Sequence, residues 1–167
     1  MEKEKIFSSK TKYVGVLKFS EFYKFCYNWL MEETGMDFII EKKYTEKLKG
    51  DSKDIEIKWE GYKKITDYFR IQIKVHFIIL GLKNIEINQN GKKIKTNEGS
   101  VKMKVTGTLM RDWQGKFERD AFRKFLRGIY EKWVITSRID QMEEKLTEYC
   151  QEYLNQVKAW LDLEGKM

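Results

Sequence analysis

Two spacings of apolar residues divide the chain. Between residues 37 and 113 apolar positions recur every second residue, as in Ile55, Ile57 and Trp59. This alternation is typical of antiparallel strands with one buried face, whereas the flanking segments have a helical period near 3.6. The pattern predicts a single α+β domain over residues 1–167. It has an N-terminal helix, an antiparallel sheet of about five strands and two C-terminal helices packed on the sheet, the last one long.

Local signals predict where these elements begin and end. Ser20 is a suitable cap for a first helix that ends near Thr34, before Gly35. Strands are expected over 38–48, 55–59, 69–77 and 100–113. A tight turn is expected at 50–52, and a type I′ hairpin turn at Asn90-Gly91. Gly107 is expected to mark a bulge, and the N-terminal segment predicts only a short strand around Ile6 and Phe7.

Two helices are predicted after the sheet, over 117–133 and 136–162. The apolar stripe of the second is broad, which favours packing across a sheet over a narrow coiled-coil seam. A homodimer formed through residues 136–162 is the alternative. The stripe consists of Ile139, Met142, Leu146, Tyr149, Cys150, Tyr153, Leu154, Val157, Trp160 and Leu161.

Arginines recur every four residues in the first of these helices. Arg119, Arg123 and Arg127 would form one stripe, opposite an arc of Phe122, Phe125, Leu126, Ile129 and Trp133. Such a row suits phosphate contacts. It equally suits the wet side of a packed helix, paired with Glu118, Asp120 and Glu131, or a docking surface for an acidic protein. The predicted polyanion-binding residues are Arg111, Lys116, Arg119, Arg123, Lys124 and Arg127.

Charge favours the polyanion hypothesis only in part. The net charge is +7, but the chain has 27 Lys and 6 Arg, a lysine excess that we interpret as drift in an AT-rich genome. Arginine is the better indicator, and four of the six lie between residues 111 and 127. Residues 134–167 carry a net charge of −3, so a polyanion surface should exclude them.

The polar face of the sheet is a second basic surface. Arg70, Lys74, His76, Lys102 and Lys104 would lie on it in neighbouring strands. Sheets that bind RNA also turn aromatic residues outward to stack on bases. Here Trp59, Phe69 and Phe77 share the apolar phase, Glu56 and Glu60 share the polar phase, and only Tyr62 and Tyr68 remain as stacking candidates. The sheet face is therefore ranked below the arginine helix.

The element order offers a third hypothesis. One helix, an antiparallel sheet and a long C-terminal helix follow an order that resembles that of helix-grip (START-like) domains. The resemblance implies a cavity between the sheet and the last helix that holds an apolar small ligand. Trp29, Trp59, Trp113 and Trp160 are the candidates for lining it.

Catalysis has little support in the sequence. His76 is the only histidine, no CxxC or HxxxH spacing occurs, and no nucleophile elbow or phosphate-binding loop is present. Cys26 and Cys150 lie in apolar helical surroundings, and no cofactor or metal is expected. We expect a cytoplasmic, non-enzymatic binding or assembly module that contacts RNA or another polyanion through its basic helix. The alternatives are the apolar-ligand carrier and self-association.

Overall fold

The alternating segments form one five-stranded antiparallel sheet, in the order β1-β5-β4-β3-β2. The computed structural model describes residues 1–166. Together with the three helices described next, the sheet confirms the predicted α+β fold. The elements are β1 (Glu2–Val16), α1 (Phe19–Glu32), β2 (Phe38–Lys49), β3 (Ser52–Lys64), β4 (Phe69–Gln89), β5 (Lys92–Arg111), α2 (Ala121–Ile129), a π-helical turn (Tyr130–Val134) and α3 (Thr136–Gly165).

The predicted tight turns are confirmed. Gly50 has φ of 62° in the turn between β2 and β3. Asn90 and Gly91 have φ of 52° and 78°, and two consecutive positive values are what a type I′ turn requires. The hairpin and the last predicted strand are parts of one longer strand, because β5 runs without a break from Lys92 to Arg111.

The N-terminal strand is much longer than predicted. β1 covers 15 residues and pairs with β5 from Glu2↔Arg111 to Val16↔Glu98. Its sequence carries few apolar residues because it is an edge strand with only one neighbour. Periodicity alone therefore gave too weak a signal to predict it.

The start of α1 differs from the prediction that Ser20 caps it. The helix begins at Phe19, which leaves Ser20 inside the first turn. Asn97 of β5 takes the capping role instead, since its side-chain oxygen accepts a hydrogen bond from the Phe19 N–H at 3.1 Å. The cap therefore comes from a residue distant in sequence, and local pattern could not reveal it.

The hydrophobic core lies between α1, α3 and one face of the sheet, which we call the inner face. Phe22 of α1 contacts Phe77 of β4, with ring centroids 5.6 Å apart, and the Tyr153 hydroxyl of α3 donates to the Cys26 carbonyl at 2.9 Å. The burial of Ile139, Leu146, Cys150, Tyr153, Leu154, Val157 and Leu161 confirms that α3 packs across the sheet. The residues of α3 that remain exposed are mostly polar or charged.

Gly107 allows this close approach of α3. A Cβ atom at Gly107 would lie 2.8 Å from the Cys150 sulfur and 3.1 Å from Leu146 Cγ. Gly107 does mark an irregularity of the sheet, as predicted, but not in its own strand, because β4 and β5 pair regularly there. The irregularity lies opposite, in β1 between Lys5 and Phe7. The glycine is needed for helix packing and not for a kink in the strand.

Adding one methyl group should test this packing. Gly107→Ala should lower the free energy of unfolding by about 1–3 kcal/mol, because the new Cβ overpacks against α3. Gly128→Ala is the matched control, since nothing lies within 4 Å of a Cβ at that helical position. It should raise stability by up to about 1 kcal/mol through helix propensity. Urea unfolding followed by circular dichroism measures both, and equal effects would contradict the packing argument.

Candidate polyanion interface

Two of the predicted phosphate-binding arginines are enclosed by carboxylates. Arg127 contacts Glu2, Glu118 and Asp112 at 3.1, 3.2 and 3.7 Å. Arg111 contacts Glu2, Glu4 and Glu131 at 3.2, 3.4 and 3.5 Å. Glu2 therefore bridges both guanidinium groups, and we call this set of seven residues the arginine–carboxylate cluster.

This cluster is poorly suited to binding phosphate. It contains five carboxylates and two guanidinium groups, so an incoming phosphate would meet excess negative charge and would compete for occupied N–H donors. The Arg127 side chain is only 13% exposed, whereas Arg123 is 44% exposed. Arg111 and Arg127 fix the end of the sheet to α2, and we infer a structural role for them.

The other four predicted residues are exposed but do not complete a stripe. Arg123 lies 3.8 Å from Asp120, and Arg119 and Lys116 lie in the turns before α2. The predicted helix over 117–133 is wrong at its start, because the helix begins at Ala121. Asp120 caps it there by accepting a hydrogen bond from the Arg123 N–H at 2.8 Å. Lys124 is exposed on α2 and has no carboxylate within 4.0 Å among residues 1–166.

The orientation of α2 reverses the usual arrangement of an amphipathic helix. The ion pairs expected for the arginines do form, with Glu118, Asp120 and Glu131. The expectation that the opposite, apolar side of the helix is packed is wrong. Arg127 faces the domain, and the apolar residues of the helix are exposed. We call this set the α2 apolar arc: Phe122, Phe125, Leu126, Ile129 and Trp133.

A different group of cations lies on the outer face of the sheet, opposite the helices. Lys10 of β1 pairs directly with Lys104 of β5, and Lys12 pairs with Lys102. On β5 these lysines alternate with the buried Val101, Met103 and Val105, so their side chains point outward. Alternate residues of a strand are about 6.6–6.8 Å apart, so the four lysine side chains leave the sheet from one compact patch. We call Lys10, Lys12, Lys102 and Lys104 the lysine quartet.

The quartet lacks counter-charges, unlike the rest of the outer face. None of its four ammonium groups has a carboxylate within 4.0 Å among residues 1–166. On the β2–β3 side, Glu56 contacts Lys43 at 2.6 Å, and Glu60 lies 3.9 Å from both Lys42 and Lys74. Acidic residues thus neutralise one half of the outer face and leave the β1–β5 half positive.

Two residues on the neighbouring strands continue the row that starts at Lys10 and Lys104. His76 lies directly opposite Lys104, and Lys58 lies opposite His76 on the next strand. The His76 Nε2 atom is buried, has no hydrogen-bond partner and lies 3.8 Å from Glu56. Like charges directly opposite each other are destabilising in a sheet, so the two facing lysine pairs of the quartet work against folding.

The two aromatic residues predicted to stack on bases, Tyr62 and Tyr68, already pack against other side chains. The Tyr62 ring stacks on Phe38 at 5.2 Å and lies 4.2 Å from the Arg70 guanidinium carbon. Tyr68 packs edge-on against Phe69 and Tyr130, and its hydroxyl donates to Glu131. Neither of the predicted stacking candidates presents a free ring to a base.

Side chains fill the space between the sheet and α3. Trp59 is buried, with its ring centroid 5.1 Å from that of Phe77, and Trp29 stacks on Tyr153 at 5.3 Å. Trp160 stacks on Phe25 at 5.6 Å, and the Trp113 indole donates to the Thr66 carbonyl. The four tryptophans that were candidates for lining a ligand cavity instead pack against other residues, which weighs against the carrier hypothesis.

The two thiols are buried and weakly acidic. Burial raises the pKa of Cys150 to about 12 and raises the pKa of Cys26 well above its usual value. Such thiols act as small apolar side chains. Across residues 1–166 no three His, Cys, Asp or Glu side chains are grouped as metal ligands. No helix in the same range is long and apolar enough to cross a membrane.

Comparison of the chain with protein-family models and with curated proteins found no match.

Half of the lysine quartet could not be predicted from the pattern of the sequence. Lys10 and Lys12 lie in the segment for which only a short strand was predicted, so they could not be placed beside Lys102 and Lys104. One signal was available: both segments carry lysines at alternate positions, KTK at residues 10–12 and KMK at residues 102–104. Alternate residues of a strand share a face, but only the register shows that the two pairs meet.

Replacing Arg127 and Arg123 one at a time should show which of the two side chains stabilises the fold. Arg127→Met should lower the free energy of unfolding by about 1–3 kcal/mol, because it leaves the buried Asp112 without its cation. Arg123→Met should cost less than about 0.5 kcal/mol, as its ion pair is exposed. Urea denaturation of both variants measures the difference. If Arg127→Met left the free energy of unfolding unchanged, the cluster would not stabilise the fold.

Proposed function

We propose that this protein is a non-enzymatic module that binds RNA through the β1–β5 half of the outer sheet face. The observation that carries the proposal is the lysine quartet, four facing cations with no carboxylate in contact among residues 1–166. The sequence favoured a basic helix for this role. The geometry favours the sheet, since the arginine–carboxylate cluster neutralises two of the six predicted polyanion-binding residues, Arg111 and Arg127.

The energetics of the quartet support a role in binding. Facing lysines repel each other, so the array costs stability that a pair of opposite charges would not cost. A polyanion laid across the quartet would replace this repulsion with attraction and would release its own counterions. Sites that oppose folding locally are common where a ligand must bind.

The contacts would be to the phosphate backbone. Tyr62 and Tyr68 have their rings covered, so the supported contacts are ammonium to phosphate, which position the strand without reading its sequence. Lys58, which lies one strand beyond His76, adds a further cation on the same face of the sheet. Lys116, Arg119, Arg123 and Lys124 would add weaker, longer-range attraction.

Neutralising one facing pair should test the proposal. Lys10→Gln/Lys104→Gln should weaken binding of mixed-sequence single-stranded RNA about tenfold or more at low salt. The slope of log affinity against log salt should fall by roughly 1.4, because two phosphate contacts are lost. Fluorescence anisotropy across a salt series measures both quantities.

Two matched pairs of substitutions serve as controls. Lys92→Gln/Lys93→Gln removes the same charge at the tip of the hairpin, about 33 Å from Lys102 along β5. Arg123→Gln/Lys124→Gln removes two positive charges from α2. Both should change affinity only slightly. The proposal fails if the α2 pair lowers affinity more than the sheet pair, or if the parent protein binds no RNA.

Replacing a lysine of the quartet by glutamate should turn a repulsion between facing residues into an attraction. Lys10→Glu would face Lys104 with an opposite charge, and it should raise the free energy of unfolding by a few tenths of a kcal/mol. The same variant should bind RNA less well than Lys10→Gln. Urea unfolding and anisotropy on one preparation measure both effects. A loss of stability would contradict the claimed repulsion between the two lysines.

A further inference from the structure

The α2 apolar arc is exposed, which is unusual for large aromatic side chains. Phe122, Phe125 and Trp133 are 67%, 63% and 74% exposed. Leu126 and Ile129 lie beside them at i+4 and i+7 from Phe122 and are also exposed, as is Val134. Exposed apolar patches of this kind mark sites of interaction.

The fold holds α2 by its polar side. Arg127 connects the helix to Glu2, Asp112 and Glu118, and Tyr130 packs against Tyr68 with ring centroids 5.4 Å apart. These contacts fix the helix to the end of the sheet and turn its apolar arc outward. A helix of this composition would normally bury that arc.

Exposed cations surround the arc. Arg123 follows Phe122 on one flank of the helix, and Lys132 lies beside the C-terminal end with its Nζ 5.2 Å from the Trp133 ring centroid. Lys124 and Arg119 are exposed as well. Asp120 pairs with Arg123 at 3.8 Å and Glu131 pairs with Arg111. Arg119, Lys124 and Lys132 have no carboxylate within 4.0 Å among residues 1–166. The free charge around the arc is therefore positive.

This charge argues against a second copy of the chain as the partner. A symmetric dimer would bring the same patch together twice and would set Arg123 and Lys132 against their own equivalents. The surface that suits both the apolar arc and its cations is apolar within and negatively charged at its boundary. A membrane with anionic lipids has this profile.

We propose that α2 is an interfacial helix that binds the surface of an anionic lipid bilayer. The apolar arc enters the boundary between headgroups and acyl chains, to a depth of about 5–10 Å, with the helix axis in the membrane plane. Trp133 lies at the headgroup level, and Arg123 and Lys132 extend to the phosphates. The domain stays outside the bilayer. This inference does not depend on RNA binding.

Vesicle binding by the full chain tests the proposal. Sedimentation with phosphatidylcholine vesicles that contain phosphatidylserine should recover the protein, and pure phosphatidylcholine should recover much less. Phe122→Ser/Phe125→Ser should weaken the partition coefficient about tenfold or more, because each buried phenyl group contributes strongly. Leu48→Ser, at an exposed apolar residue of β2, is the matched control and should bind as the parent does.

Tryptophan fluorescence adds a local readout. Emission should shift to shorter wavelength on vesicle binding, and Trp133→Phe should abolish most of that shift, because the other four tryptophans already have packed or hydrogen-bonded neighbours. The substituted phenylalanines are exposed, so thermal unfolding should show that these variants fold normally. Their RNA affinity should equal that of the parent, which keeps the two proposals separable.

Three results would overturn the membrane proposal. One is an absence of vesicle binding by the parent protein. Another is equal binding by the parent and Phe122→Ser/Phe125→Ser, which would mean that basic residues alone attract the vesicle. The third is light scattering that shows the parent protein to be a dimer and Phe122→Ser/Phe125→Ser to be a monomer, when the parent protein does not bind vesicles.

Discussion

The close contact between α3 and the sheet at Gly107 covers the inner face of the sheet, and it leaves the opposite face exposed. Cys150 and Leu146 lie so close to the strand backbone there that a Cβ at Gly107 would be 2.8 Å from the Cys150 sulfur, so the long helix packs tightly on the inner face. Aromatic side chains from α1, β3 and β4 complete the same layer. The outer face of the sheet and α2 carry exposed side chains that this packing does not cover.

Two surfaces that oppose ordinary folding preferences remain. One is the lysine quartet, where like charges face each other across two strands. The other is the α2 apolar arc, which points into solvent while Arg127, on another side of the helix, is bound to the domain. Both features cost stability locally, and both are complementary to a ligand with negative charge. RNA phosphates suit the first, and the anionic boundary of a bilayer suits the second.

The sequence predicted those features that depend on local pattern. Alternation identified the buried face of β3, β4 and β5, and Asn90-Gly91 identified its turn. The features it missed depend on long-range register. Asn97 caps α1 from another strand, β1 is specified mainly by its pairing with β5, and Glu2 meets Arg127 only after the sheet has formed. The helical wheel correctly separated arginines from apolar residues in α2, but it could not show which side faces the domain.

The most direct test of the account is a residue-resolved map of RNA contacts. Titration of isotope-labelled protein with single-stranded RNA, followed by amide chemical shifts, locates the bound surface without any substitution. The account predicts shifts concentrated around Lys10, Lys12, Lys102 and Lys104, with His76 and Lys58 next and the arginine–carboxylate cluster unchanged. Shifts confined to Arg111, Arg127 and their neighbours, with β1 and the middle of β5 unaffected, would contradict it.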